Sequence, residues 1–400
     1  MSAQVQPCPL LGSFWGGGFD SISPLVHSGD QTQRIDLVVA TQHDSHADLD
    51  YRLLARLGMR WTREDARWHL CEPEPGRYDF APLEPMIEAA RDQNVQIVWS
   101  WMHYGCPTFV NPLNENFPER LADFGARHLE WLQAHGIADV LVCPINEISY
   151  YTWHVSTLGS WYPFVRDEGH PLKERLMAAH RRCYERAKQI LPGIQILMID
   201  PFYYAVGSED DPDSLEEAAF WRNAALEAAD RLCDWTDILG MNFYADGQVE
   251  CYWEPHTHHY DRRMLPMDDP RRISLTEALR LFRERYGQKP VLVTETSVRG
   301  DERGPWITQM TDWAVAALQE GLPLRGLCWY PVLDVPDWGT LKPGKTLEDL
   351  HISHSGLIHA RRGPQGLERI LETDIADILC AQEARLEQVG CGERSERSPG

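Results

Sequence analysis

The sequence predicts one α/β domain, a (β/α)8 TIM barrel over residues 1–378, because short β-branched runs alternate with longer helical patterns. Eight candidate strands lie near residues 11–16, 57–63, 94–101, 138–144, 194–199, 236–242, 289–294 and 324–330. Stretches with apolar residues at helical spacing separate most of them, among them residues 121–133, 172–190 and 214–232. Eight alternations of this kind are what a closed barrel of parallel strands with outer helices requires.

An open, doubly wound sheet would also alternate strands and helices. However, the first candidate strand runs into Gly16-Gly17-Gly18 and not into the spaced glycines of a dinucleotide-binding turn. Further along, Ser274 and Glu277 precede an apolar pattern and form a capping box, which predicts a helix start before the seventh strand. The barrel is therefore the preferred fold.

The end of the chain differs in composition from the rest. It finishes in Gly-Glu-Arg-Ser-Glu-Arg-Ser-Pro-Gly, a polar run without apolar periodicity. Such a run cannot bury enough apolar surface to order itself. We therefore predict a disordered tail over residues 379–400.

Composition restricts the partners. The 60 acidic residues exceed the 38 basic ones and give a net charge of −22, which disfavours nucleic acid and anionic membranes. No apolar run approaches the roughly 18 residues that span a bilayer, and the first residues lack a signal-peptide pattern. The ten cysteines are scattered without Cys-x-x-Cys pairs, which is typical of free thiols. We expect a cytoplasmic protein with a small-molecule partner, and the 15 tryptophans are compatible with sugar stacking.

Two glutamates carry the strongest chemical signal. Glu147 closes the fourth candidate strand region after Pro144-Ile145-Asn146, and Glu295 ends the seventh, Val291-Leu292-Val293-Thr294. Barrel enzymes place their reacting groups at the carboxyl ends of the strands, so the two carboxylates are expected to converge. Retaining glycosidases catalyse their reaction with a pair of carboxyl groups about 5–5.5 Å apart.

The residues around these glutamates resemble the family 1 glycoside hydrolases, from about residue 13 to residue 360. The family's Asn-Glu-Pro motif is matched by Asn146-Glu147-Ile148, and its Thr-Glu-Asn-Gly motif by Thr294-Glu295-Thr296-Ser297. Residues 156–167 resemble a compact bacterial subgroup of the family. The resemblance implies a β-glucosidase-like barrel with Glu147 as general acid/base and Glu295 as nucleophile.

The same resemblance implies four supporting residues. Arg63, in Gly58-Met59-Arg60-Trp61-Thr62-Arg63, is expected to contact the nucleophile, in preference to Arg60. Tyr244, in Leu-Gly-Met-Asn-Phe-Tyr, is expected to donate its hydroxyl to the nucleophile. His103 and Asn146 are expected to bind hydroxyls of the sugar.

The segment after the eighth strand also resembles the family. Cys328-Trp329-Tyr330-Pro331, followed by Asp337-Trp338, is similar to the family's Trp-Ser-x-x-Asp-Asn-x-Glu-Trp. By this resemblance Trp329 lies under the sugar ring, and Asp337 and Trp338 meet its far hydroxyls. The sugar-binding glutamine of the family's first strand has no evident equivalent, and Asp20 is a guess at its replacement.

The scheme implied by the resemblance needs no cofactor and no metal, and it leaves the oligomeric state open. Three alternatives remain. A transglycosylase would use the same residues, and a catalytically impaired barrel would bind sugar without cleaving it. A zinc enzyme is suggested by His256, His258 and His259, since His-x-His pairs bind zinc, but the sequence shows no convincing ligands on other strands.

Overall fold

Eight parallel strands close into a barrel in the computed structural model, which describes residues 10–19, 21–28, 31–336, 352–363 and 366–391. The strands, in chain order, are β1 Trp15–Gly18, β2 Trp61–Asp65, β3 Gln96–Ser100, β4 Leu141–Cys143, β5 Gln195–Pro201, β6 Ile238–Asn242, β7 Val291–Thr296 and β8 Leu324–Trp329. Each strand pairs with the strands before and after it, and β8 pairs with β1 to close the ring. This confirms the predicted (β/α)8 fold.

In the part of the chain that the structure describes, eight long helices surround the strands and cover their outer faces. They are α1 His43–Arg56, α2 Glu84–Gln93, α3 Phe117–Ala134, α4 Gly169–Ile190, α5 Pro212–Leu232, α6 Leu275–Tyr286, α7 Arg303–Gln319 and α8 Thr373–Cys391. Shorter helical turns lie at Leu37–Ala40, Trp68–Cys71, Ala81–Leu83, Ile148–Thr152, Trp153–Thr157, Cys233–Trp235, Ala245–Gly247 and Gly300–Glu302. None of the helices among the described residues is long and apolar enough to cross a membrane.

The middle of the barrel is filled by side chains, as expected for a packed core. Trp61 of β2 is fully buried there, among residues of β3, β4, β5, β6, β7 and β8. A Cβ atom on Gly16 would lie 2.2 Å from the Trp61 ring. The first strand therefore carries glycine where the tryptophan crosses the barrel. Because side chains alternate along a strand, Arg63 shares the inner face with Trp61, one layer nearer the carboxyl end.

The predicted elements agree with the observed ones, apart from their ends. All eight strand positions are confirmed, although β1 begins at Trp15 and includes the three glycines. The helical stretches at residues 121–133, 172–190 and 214–232 lie within α3, α4 and α5. The capping box is present, because the Glu277 amide donates to Ser274 Oγ over 3.2 Å and the Ser274 amide donates to Glu277 Oε2 over 2.7 Å.

Several small sheets extend the loops at the carboxyl ends of the strands. A hairpin follows β1, and a three-stranded sheet is built from the connections after β5 and β6. Two further pairs follow β8. These strands are Leu25–Ser28 with Gln31–Arg34, Tyr204–Val206 with Gln248–Glu254 and His259–Met264, Val335–Pro336 with Ile352–Ser353, and Ile358–Gly363 with Gly366–Leu371.

The predicted tail at residues 379–400 is wrong in its first part, because α8 continues to Cys391. Leu379 and Leu386 are fully buried and lie two turns apart on the same face of the helix. On the same helix, Glu383 accepts hydrogen bonds from the backbone amides of Phe14 and Trp15, both over 2.7 Å. The helix therefore holds the start of β1 in place. Residues 392–400 lie outside the part of the chain that the structure describes.

Candidate active site

The two predicted catalytic glutamates meet at the carboxyl end of the barrel. Glu147 follows β4 and immediately precedes the short helix Ile148–Thr152, while Glu295 is the fifth residue of β7. Both side chains are almost fully enclosed, with 7% and 4% of the residue surface exposed. Their different partners give the two carboxyl groups different electrostatic environments.

Glu295 is surrounded by donors. Arg63 Nη1 donates to Glu295 Oε1 over 2.7 Å, and the Tyr244 hydroxyl donates to Oε2 over 2.7 Å. The fully buried guanidinium also donates to the Thr294 carbonyl oxygen over 2.9 Å, so its position is fixed by the strand that carries Glu295. Burial and the negative charge of Glu295 raise the pKa of Tyr244 well above its usual value, which keeps the phenol a donor. These contacts stabilise negative charge on Glu295 and aim its carboxylate.

Glu147 sits in the opposite environment, because none of its hydrogen-bonding partners among the described residues is a cation. Burial, and next the charge of Glu295, raise the pKa of Glu147 to about 8. The Tyr104 hydroxyl donates to Oε2, and Asn242 Nδ2 donates to Oε1 over 2.7 Å. Those two bonds favour the ionised form and offset part of the increase. The environment of Glu147 therefore favours its protonated form.

Backbone geometry at Glu147 and Tyr104 is unusual in the same way. Their φ angles are 47° and 66°, in the left-handed region that non-glycine residues seldom adopt. A residue held there costs on the order of 1–3 kcal/mol, so the surrounding fold must enforce it. The Glu147 amide donates to the Ile199 carbonyl oxygen over 3.1 Å, which ties the loop to β5. The strained backbone turns both side chains toward the same point.

A continuous hydrogen-bond network links the two glutamates through buried amides. Asn242 Oδ1 accepts from Thr294 Oγ1 over 2.6 Å, so this residue joins Glu147 to the strand of Glu295. On the other side, Arg63 Nη2 donates to Asn146 Oδ1 over 2.7 Å. Each glutamate is thereby positioned relative to the other from both sides of the barrel mouth.

His103 and Asn146 lie beside this network. Asn146 Nδ2 donates to His103 Nε2 over 3.0 Å and to the Tyr104 hydroxyl over 3.3 Å. Asn146 has no exposed surface, and both polar atoms of its side chain already contact protein groups. Asn146 therefore connects His103 and Arg63 by hydrogen bonds. Its predicted contact with a sugar hydroxyl remains a prediction.

Sequence reasoning missed several aromatic neighbours of Glu147. The Tyr104 ring lies 4.8 Å from the Trp161 ring and 5.9 Å from the Tyr150 ring, measured between centroids. Tyr330 lies on the other side, 6.3 Å from the His103 ring. Tyr104, Trp161 and Tyr330 are all buried, and these rings pack beside Glu147 and His103. Asn242 is part of the Leu-Gly-Met-Asn-Phe-Tyr motif and ends β6, and Tyr104 follows His103 just beyond the end of β3.

The residues predicted around the far side of the sugar are either buried or outside the described residues. Trp329 ends β8, but its ring is fully buried, and its indole nitrogen donates to the Ser355 carbonyl oxygen over 2.9 Å. In this conformation no face of that ring is open to a ligand. Asp337, Trp338 and Asp20 lie outside the described residues. The predicted roles of these four residues are thus left untested.

The histidines that suggested a zinc enzyme are not part of a metal-ligand cluster among the described residues. His256, His258 and His259 are exposed at the turn of the hairpin Gln248–Glu254 and His259–Met264. Within the described ranges, their ring nitrogens form no group of three ligand atoms that could hold a metal ion. The hairpin turn gives no support to a catalytic zinc.

Comparison with known proteins adds a sequence match. Residues 40–135 match the family model described as Beta-galactosidase, about a quarter of the chain. No curated protein matches the chain by sequence. The match covers β2 and β3 together with α1, α2 and α3, and it includes Arg63 and His103.

Solved structures match over nearly the full length. The β-glucosidase from Thermotoga maritima in complex with glucoimidazole has a TM-score of 0.75 and 16% identity, covering 94% of this chain and 99% of that one. The AHE enzyme from Alicyclobacillus herbarius has a TM-score of 0.74 and 17% identity, covering 93% and 98%. At such identities these structures establish the fold.

Proposed function

We propose that the protein is a retaining β-glycosidase in which Glu147 is the general acid/base and Glu295 the nucleophile. The observation that carries the proposal is the contrast between the two carboxyl groups. Glu147 is buried with a pKa raised to about 8, whereas Glu295 is paired with Arg63 at 2.7 Å. A pair of carboxyl groups in opposed environments is how enzymes divide acid and nucleophile roles at one pH.

The first half of the reaction uses both groups at once. Glu295 attacks the anomeric carbon, while Glu147 gives its proton to the departing glycosidic oxygen. Attack consumes the negative charge that raises the pKa of Glu147, so this pKa falls in the glycosyl-enzyme. Glu147 can then act as a base and take a proton from water, which releases the sugar. No cofactor enters either step.

The residues around Glu295 act by positioning it. Arg63 and Tyr244 hold one carboxylate oxygen each, which leaves the carboxylate little freedom to rotate. The Tyr244 hydroxyl can follow the oxygen whose charge changes during the reaction, since its own proton stays bound. Asn242 fixes Glu147 in the same way from β6. Preorganised donors of this kind account for much of the rate enhancement in enzymes.

The surroundings favour a neutral, ring-shaped substrate. Tyr150 and Trp161 line the Glu147 side, where the departing group would lie, and Tyr330 lies near His103. Aromatic faces stack on the C–H faces of sugars, while a histidine and hydroxyls can bind the hydroxyl rim. With a net charge of −22, the protein disfavours strongly anionic ligands at long range.

A panel of nitrophenyl glycosides tests the proposal. We expect at least one β-glucoside, β-galactoside, β-fucoside or β-mannoside to be cleaved, and the corresponding α-anomers to be left intact. Proton NMR at early times should show the β-anomer of the free sugar as the first product, because two displacements retain configuration. The α-anomer as first product would establish an inverting enzyme and refute the assignment of Glu295. Binding of a sugar without any cleavage would favour the impaired barrel.

The pH profile gives a second test through Tyr104. Glu147 must be protonated when substrate binds, so kcat/KM is expected to fall as the pH rises through about 8. The Tyr104 hydroxyl favours the ionised form of Glu147, and Tyr104→Phe removes that bond. We therefore expect the alkaline limb to move to higher pH, by up to about one unit for a hydrogen bond worth about 1.4 kcal/mol.

Tyr151→Phe is a matched control for this variant. The Tyr151 ring stacks on Tyr104 at 6.1 Å, but its hydroxyl donates to the Tyr162 carbonyl oxygen over 2.8 Å. Its removal should leave the alkaline limb where it is in the wild type. A limb that moves to lower pH in Tyr104→Phe, or equally in both variants, would contradict the role given to Tyr104.

A further inference from the structure

A second cluster of ligand-type side chains lies just beyond β8 and has no part in the proposed reaction. Asp334 Oδ2 lies 3.2 Å from His354 Nδ1 and 2.8 Å from His359 Nδ1. The three ligand atoms all lie within 4.8 Å of one another. Two imidazoles and one carboxylate oxygen are thus gathered around one point.

Asp334 is held rigidly in this cluster. It has 1% of its surface exposed, and its other oxygen, Oδ1, accepts from the Gly356 amide over 3.0 Å. A Cβ atom on Gly356 would lie 2.2 Å from the Asp334 amide nitrogen. Only glycine therefore allows the two segments to approach so closely. The carboxylate is left with one oxygen, Oδ2, directed at the two histidines.

His359 is oriented from its far side by a second carboxylate. Its Nε2 contacts Glu372 Oε1, and Arg303 Nη2 donates to both Glu372 oxygens over 2.8 Å. Metal-binding histidines almost always donate their other ring N–H to such an outer carboxylate, which fixes the tautomer and directs the remaining lone pair at the metal. Here that lone pair would be on Nδ1, the atom that faces Asp334.

The distances suit a tetrahedral ion. Ligands 2.0–2.1 Å from a tetrahedral zinc are about 3.3 Å apart, and two imidazoles on it have ring centroids about 5 Å apart. The two N···O distances of 2.8 and 3.2 Å, and the 5.6 Å between the His354 and His359 centroids, are close to these values. The His354 side chain is 66% exposed, so it can make the small adjustment that remains.

We propose that Asp334, His354 and His359 bind one zinc-like divalent transition metal ion, with Glu372 orienting His359 and water filling the open position. Imidazole with a single carboxylate selects such ions over Mg²⁺ or Ca²⁺, which prefer all-oxygen sites. The ion joins the end of β8 to the strands that follow it. Ser355, beside His354, also accepts the hydrogen bond of Trp329, so the metal stabilises the segment against which that ring is packed.

Metal binding to the untagged, chelator-stripped full chain tests this inference. Isothermal titration with ZnCl₂ should give a stoichiometry of one at this site, and CoCl₂ should produce the visible absorption bands of tetrahedral Co²⁺. His354→Ala and His359→Ala should each weaken zinc binding by tenfold or more. Glu372→Gln should weaken it by about 10- to 100-fold, as loss of an outer carboxylate does. Zinc should raise the Tm of the wild type and leave that of the His354→Ala/His359→Ala double variant unchanged.

The triple variant His256→Ala/His258→Ala/His259→Ala is the matched control, because it removes three exposed histidines from the hairpin turn. It should bind zinc at the site with wild-type affinity and show the same Co²⁺ spectrum. Loss of the signal in this variant, with retention in His354→Ala and His359→Ala, would overturn the proposal. So would the absence of heat and of Co²⁺ bands in the wild type. Asp334 is buried, so its substitution could disturb folding. The variants are therefore made at His354, His359 and Glu372, which are more exposed.

Discussion

Glu295→Ala is expected to lower kcat/KM for the best aryl β-glycoside by about 10⁴-fold or more, the loss typical of a residue central to the transition state. The variant removes the nucleophile and leaves Arg63 and Tyr244 directed at a vacated space. Glu147 is held in place by its own two partners, Tyr104 and Asn242, and would not take over the attack. Steady-state kinetics with a nitrophenyl glycoside measure the loss.

Azide provides the stereochemical part of this prediction. It is small enough to enter the space left by the carboxylate and would attack the same face of the sugar, so the product should be an α-glycosyl azide. Formation of a β-glycosyl azide by this variant would mean that Glu295 is the acid/base.

Glu64→Gln is a control for the loss of a buried glutamate at a strand end. Glu64 is 1% exposed in β2 next to Arg63, but it contacts His43 and Tyr51, away from the two catalytic groups. This substitution is expected to lower stability without the large kinetic loss. Comparable loss in Glu64→Gln and Glu295→Ala, with both folded by circular dichroism, would show that the effect is structural.

The sequence could predict the barrel because its strands are short apolar runs and its helices have clear periodicity. The prediction was wrong at α8, because the disordered tail was predicted to begin at residue 379, within a helix that continues to Cys391. Leu379, Glu383 and Leu386 share one buried helical face. Because a glutamate stands in that face, the sequence pattern does not show it as apolar. The reason for its burial, two amides at the start of β1, lies more than 360 residues away in the chain. A local sequence pattern cannot predict a contact between residues so far apart in the chain.

The candidate site divides in a similar way. Glu147 and Glu295 could be found because a carboxylate at a strand end has a short list of uses in a barrel. Tyr104 and Asn242 could not, because a tyrosine and an asparagine at strand ends have many uses. Their role depends on which side chain stands opposite them across the barrel mouth. That pairing follows from the three-dimensional arrangement of β3, β4 and β6, and only the structure supplies it.

Glu147→Ala is expected to act on the two halves of the reaction unequally. With an activated leaving group such as dinitrophenolate, little proton donation is needed, so glycosylation stays fast. Deglycosylation loses its general base, and the covalent intermediate should accumulate. Intact-protein mass spectrometry measures it as an adduct on Glu295. With an unactivated alkyl glycoside both halves need Glu147, and the loss should be about 10²- to 10⁴-fold, the usual range for acid–base catalysis.

Azide should restore turnover of the dinitrophenyl substrate in Glu147→Ala, because it needs no general base and fits beside Tyr104 and Asn242 where the carboxyl group stood. Attack on the glycosyl-enzyme from this side gives a β-glycosyl azide, the opposite anomer from that expected with Glu295→Ala. Glu147→Gln is the matched control, since its amide keeps the space filled and should make azide far less effective. Exchange of the two azide products between the variants would reverse the roles of the glutamates, while near-wild-type activity in Glu147→Ala on unactivated substrates would remove Glu147 from the mechanism.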